Sequence, residues 1–178
     1  LENRCVVCHS CNDAPCQLLL SSHEGVMRGA TNEKVYDSAR VVAKDPTRLF
    51  VDANGVDAWR AKQFFPVVDP PAAAGAPKTS DALLLRMLAL GKAHPFAERE
   101  RLPDSVGLDI DRKLSCARGD EFEAYAREQP LGGMPYGLPG LTAREMDTVT
   151  RWLAAGAPYE GDLPLTAVQR RQVLAWET

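Results

Sequence analysis

No apolar run in this sequence approaches the roughly 18 residues that cross a bilayer as a helix; the longest leucine runs are Leu18 to Leu20 and Leu83 to Leu85. A membrane-spanning chain is therefore not expected. A basic run is missing as well: Lys and Arg number 21 against 24 Asp and Glu, for a net charge of −3. That balance gives no electrostatic footprint for nucleic acid and no help in docking on anionic lipid. No nucleic-acid partner is expected, and any lipid contact must be mainly apolar. Clear period-2 alternation is absent too, which leaves a mostly α chain with long loops. Neither an initiator Met nor a signal segment precedes Leu1, so the chain is expected to be processed or cut from something longer. What remains, 178 residues at 45% apolar and 25% charged, suits one globular domain with room for a long insertion.

Cysteine is not scarce, but its count of 5 is odd, which excludes complete disulfide pairing. Cys5-Val6-Val7-Cys8-His9 is a C-x-x-C-H, the attachment pattern for c-type haem. Two thiols at that spacing can each form a thioether with one porphyrin vinyl group, and the next residue then lies under the iron. His9 is the proximal ligand on this reading. A redox C-x-x-C would want a βαβ setting that the sequence does not offer, and a zinc site would need a second ligand pair. Haem c attaches outside the bacterial inner membrane, so the motif implies a periplasmic protein in an oxidising compartment. Cys11, Cys16 and Cys116 are left over. Two of them can bridge, in any of three pairings, and the alternative is a reactive thiol near the haem.

A second iron ligand has few sources, because the chain holds only 3 His and 4 Met. Met134 stands in Leu131-Gly-Gly-Met134-Pro-Tyr-Gly-Leu-Pro-Gly140, where glycines allow close backbone approach and prolines stiffen the loop around the thioether. Met87 and Met146 fall on apolar helix faces; Met27, His23 and His94 are weaker rivals. One helical turn is expected over 23–30, and irregular chain from Thr31 to Val68, punctuated by Pro46, Asn54-Gly55 and Pro66. Residues 69–77 read as a proline-rich connector. A helix follows, with Thr79 or Ser80 as its cap, Leu83, Leu84, Met87 and Leu88 on one face and Gly91 as terminator. Asp120 to Gln129 reads as another, presenting Phe122, Tyr125 and Ala126 and stopped by Pro130. In a third, Thr142 and Glu145 form a capping box, Met146, Val149, Trp152 and Leu153 form the stripe, and Gly156-Ala-Pro158 ends it. A fourth is expected from Thr166, with Gln169 three residues on.

The haem motif, Met134-Pro135 and the closing segments Leu141-Thr-Ala-Arg-Glu145 and Arg151-Trp-Leu-Ala-Ala-Gly-Ala-Pro158 together resemble a class I cytochrome c. The interval from His9 to Met134 is far longer than in a minimal cytochrome. On this resemblance residues 1–178 form one cytochrome c-like domain, with haem attachment over 1–33, a loop-rich insertion over about 34–118, and the distal Met loop and C-terminal helices over 119–178. More specifically, Arg4-Cys-Val-Val-Cys-His-Ser-Cys-Asn-Asp-Ala-Pro-Cys-Gln-Leu18, Arg28-Gly-Ala30, Val35-Tyr36, Pro46-Thr-Arg-Leu-Phe-Val-Asp-Ala53, Trp59-Arg60 and Gly133 to Leu141 resemble the haem-containing fatty acid cis/trans isomerases of Gram-negative bacteria. Members of that family run several times longer, so the resemblance is to their N-terminal haem domain, with the remainder of a longer chain as a partner.

The resemblance implies a periplasmic enzyme, peripheral to the membrane, that turns cis double bonds of phospholipid acyl chains into trans ones in place. One haem c would be carried by Cys5, Cys8 and His9, with Met134 as the sixth ligand, and ferric haem would act as the electrophile. Leu49, Phe50, Trp59, Phe64 and Phe65 with Leu83, Leu84, Leu85 and Leu88 are candidates for an apolar channel, or simply for the core of the insertion. Arg48 and Arg60 are candidates for the lipid phosphate, or ordinary paired surface charges. The competing function is an electron-transfer cytochrome module in which Met134 never leaves the iron; a haem-based sensor using the extra cysteines is a third reading.

Overall fold

Turn residues cut the chain into short helices, and tertiary contacts hold those helices together. The computed structural model describes residues 1–11, 14–33, 47–68, 81–96, 101–104, 106 and 116–159. The described residues are mostly helical and hold no strand, in keeping with a mostly α chain. The proline-rich connector, the Thr79/Ser80 cap and the helix expected from Thr166 lie outside them.

Helix α1 (His23–Arg28) starts where the Ser22 hydroxyl accepts the Gly25 N–H at 3.1 Å. Helix α2 (Val56–Ala61) begins after Gly55, whose φ of +78° turns the chain into it. The sequence does not announce this helix, because in six residues only Trp59 is buried and no apolar period develops. Helix α3 (Leu83–Ala93) buries Leu83, Leu84, Leu85, Leu88 and Leu90, so it is apolar on several sides and runs through the middle of the main core. Gly91 does not end it. The helix continues to Ala93, and Gly91 stands where the backbone of another segment crosses it. Helix α4 (Phe122–Glu128) buries Phe122 and Tyr125, and Arg86 of α3 lies 4.2 Å over the Phe122 ring while pairing with Glu123 at 2.8 Å.

Helix α5 (Ala143–Ala154) carries the capping box in full: Thr142 and Glu145 bond each other's backbone, at 2.7 Å from the Thr142 N–H to the carboxylate. Val149 and Leu153 are buried, Met146 and Trp152 pack on the core, and the indole N–H of Trp152 donates to the Pro158 carbonyl at 3.1 Å. The Glu145 carboxyl is held below its ordinary value, chiefly by the Thr142 N–H and then by the Thr142 hydroxyl. A lowered folded value makes this contribution present above the ordinary glutamate range and lost as pH falls through the lowered value. Glu145→Gln is therefore expected to lose less stability than the parent in urea unfolding taken from about pH 6 to about pH 3. Equal losses contradict the capping account.

The extended pair Ala30 and Phe65 exchanges N–H and C=O bonds at 3.0 and 2.8 Å. Alternation along it sends Phe65 into the main core and Phe64 into a second cluster with Leu19, Leu49 and Trp59. The apolar set read as one channel lining is thus divided between two cores, and Phe50 belongs to neither, at 65% exposure. A disulfide joins Cys16 to Cys116 across a sequence separation of 100, tying the segment beside the C-x-x-C-H to the approach to α4.

Candidate functional site

The C-x-x-C-H begins in a short wide helix and continues through the turn that follows it. Glu2–Val6 forms a wide turn around the Leu1 carbonyl, and the N–H groups of Cys8 and His9 then donate to the Cys5 carbonyl at 3.2 and 3.0 Å. This spacing puts Cys5 and Cys8 on neighbouring positions of one face. Cys5 is half-buried against the main core and Cys8 is exposed; neither is disulfide-bonded, and Cys11 is exposed and likewise outside the disulfide. Burial pushes the Cys5 thiol above its ordinary value.

His9 is 7% exposed, and its Nδ1 lies 3.0 Å from the Leu18 carbonyl oxygen. A carbonyl only accepts, so Nδ1 carries the hydrogen and the lone pair of the neutral ring sits on Nε2. The same segment holds the His9 backbone, whose carbonyl accepts the Leu20 N–H at 2.8 Å. Two features fix that segment. Cys16 is disulfide-bonded, and Cys16 and Gln17 take left-handed φ values of +59° and +49°. Beside them Arg28, fully buried, donates to the Gln17 carbonyl and to the Thr47 carbonyl, the latter at 2.8 Å. Its guanidinium lies 5.2 Å from the Trp59 ring centre and 4.9 Å from that of Phe64. Burial lowers its pKa to about 10, so it stays charged at neutral pH. Sequence reading assigned Arg28 no role, since arginine is almost never fully buried; its presence in the family-like Arg28-Gly-Ala30 was the one available signal.

Met134 rides on α3. Its N–H donates to the Met87 carbonyl at 2.9 Å, and the backbones of Gly133 and Gly91 touch so closely that a Cβ on either would collide with main-chain atoms of the other segment. The Tyr125 hydroxyl donates to the Gly132 carbonyl at 2.9 Å and pins the preceding turn, Pro130–Gly132. The Met134 side chain is partly buried on the main core, as are Cys5, Met87 and Met146. Arg4 closes the arrangement, donating to the Pro139 and Gly140 carbonyls at 2.6 and 3.2 Å and approaching Glu145 at 3.7 Å. The turn that carries Cys5 is thereby docked on the end of the Met134 loop and the start of α5.

The weaker ligand candidates have other surroundings. His23 Nε2 bonds the Ala157 carbonyl at 3.0 Å, Met27 packs on the main core, and His94 is exposed at the end of α3. Of the two arginines considered for phosphate, Arg48 is paired with Asp52 at 3.1 Å, and Arg60 donates to the carbonyls of Arg28, Phe64 and Met27 at 2.7 to 3.2 Å. Both guanidinium groups are engaged within the protein.

Two thiols on one turn, an imidazole with its lone pair on Nε2, and a thioether on a glycine-flanked loop are the donor types that a covalently attached haem would take. Among the described residues no group of three or more His, Cys, Asp or Glu side chains gathers to hold a bare metal ion, so the zinc reading of the C-x-x-C finds no second ligand pair there. In comparison with known proteins, the family model described as fatty acid cis/trans isomerase matches residues 44–178, well over half of the chain. Met134 lies inside the matched stretch, and the C-x-x-C-H precedes it. No curated protein and no solved structure matches the chain.

Proposed function

The chain belongs to the fatty acid cis/trans isomerase family, and on that premise we propose that it is the haem-bearing part of a periplasmic enzyme converting cis to trans double bonds in phospholipid acyl chains. Family membership carries the reaction class. The His9 arrangement is what supports the cofactor, a haem c held through Cys5 and Cys8, with a cytochrome c-like fold around it.

Rotation about a C=C bond is blocked by its π component, and ferric haem, when bound, supplies an electrophile that weakens that component. The chain's own residues do the rest. Cys5 and Cys8 fix the group covalently. The Nδ1–H bond to the Leu18 carbonyl orients the His9 ring and makes Nε2 a better donor. Met134 is held by its backbone, through the Met87 carbonyl and the glycine contact. That fixes the loop independently of the thioether. The leucines of α3 and Phe65 belong to the apolar core on which Met134 packs.

The spectroscopic test is direct. The chain matured with haem is expected to show a pyridine haemochrome of the c type that disappears in the Cys5→Ser/Cys8→Ser variant, and a ferric sulfur-to-iron band that disappears in Met134→Ala. A band unchanged in Met134→Ala contradicts the ligand assignment.

A further inference from the structure

Phe50 and Val51 stand 65% and 62% exposed in an otherwise closed turn, flanked on the chain by Leu49, which is buried in the second core. The turn is built to hold them there. The Val51 and Asp52 N–H groups donate to the Arg48 carbonyl at 3.2 and 3.1 Å, and the Asp52 carboxylate clasps the Arg48 guanidinium through Nε and Nη2 at 3.2 and 3.1 Å. Phe50 itself takes a φ of +68°, a region that side chains rarely adopt. That left-handed step swings its ring away from the pocket filled by Leu49, Trp59 and Phe64. Below the turn, the Thr47 carbonyl is fastened by buried Arg28, which also holds the Gln17 carbonyl next to Leu18, the hydrogen-bond partner of His9. The projecting pair is thus fixed relative to the segment that carries the candidate haem ligand.

We propose that the Phe50–Val51 turn is an interfacial anchor that enters the boundary between headgroups and acyl chains of a phospholipid bilayer; this rests on the phospholipid reading given above. Two observations favour a bilayer over another occupant. The family acts on fatty acids, and on the phospholipid reading above their acyl chains lie in the membrane. The chain is weakly acidic with no basic run, and the charges bordering the turn, Arg48 and Asp52, neutralise each other, so attraction has to come from apolar side chains rather than from anionic lipid.

Flotation of the haem-loaded chain with dioleoylphosphatidylcholine vesicles tests this. The parent is expected to bind, with a partition coefficient insensitive to about 0.5 M salt. Phe50→Ser is expected to lower that coefficient about tenfold, from the loss of one buried aromatic side chain, and Phe50→Leu to restore most of it. Far-ultraviolet circular dichroism should be the same for all three. In activity, Phe50→Ser should slow isomerisation of vesicle phospholipid while leaving that of a detergent-dispersed cis-monounsaturated fatty acid unchanged. Equal binding by Phe50→Ser and parent overturns the anchor, as does a parent that isomerises dispersed fatty acid but ignores vesicles. Tip-dependent binding without any haem-dependent trans product leaves the anchor standing and removes instead the reading that these residues alone carry the isomerase chemistry.

Discussion

Replacing Cys16 and Cys116 together by serine is expected to cost about 4 to 5 kcal/mol of stability, the loop-closure value for a separation near 100 residues. Few single features of a chain this size have so large an effect, because the bridge acts mainly on the unfolded ensemble: it removes most of the ways in which the N-terminal segment can wander from the rest. The consequence reaches the site. Cys16 is followed by Gln17 and Leu18, the residues whose carbonyls take Arg28 and His9. Without the bridge that segment loses its covalent fixed point. Urea unfolding of the oxidised parent and the double variant measures the difference, and coincident midpoints contradict it.

Gly91→Ala carries the second large effect, and its sign is diagnostic. In the interior of a helix, glycine to alanine ordinarily stabilises by roughly 0.5 to 1 kcal/mol. Here the new methyl would meet the Met134 carbonyl, a main-chain atom with no torsion free to yield. Either α3 or the Met134 loop must move, and overpacking of this kind costs about 2 to 3 kcal/mol. The displaced loop should also weaken the ferric sulfur-to-iron band in the haem-loaded chain. Gly119→Ala is the control, since a Cβ there meets nothing within 4 Å and thermal unfolding should change little. A Gly91→Ala chain as stable as the parent, with its band intact, contradicts the close crossing of the two backbones.

The readable parts of the sequence were those in which local chemistry and tertiary structure agree. The capping box at Thr142 and Glu145 and the stripes of α4 and α5 satisfy the backbone and the core at once. Gly91 misled for the opposite reason. A glycine near a helix end resembles a terminator, but here it serves a neighbour that arrives from more than forty residues downstream, and no local pattern encodes that meeting. Phe50 was grouped with the core on hydrophobicity alone, whereas its exposure follows from a left-handed φ that composition does not reveal. The choice of Cys116 as partner for Cys16 and the burial of Arg28 between two rings are likewise long-range facts. The C-x-x-C-H and Met134 enter the proposal from the sequence because c-type haem attachment imposes residue types and spacing.

The account stands or falls on one measurement: the trans-to-cis ratio, by gas chromatography, of acyl chains from vesicles of cis-monounsaturated phospholipid incubated with the haem-loaded ferric chain, set beside the His9→Ala variant. The account predicts a rise in trans product with the parent chain and none with His9→Ala. A haem-loaded parent that leaves the ratio where it began contradicts the claim that the chemistry lies within these residues.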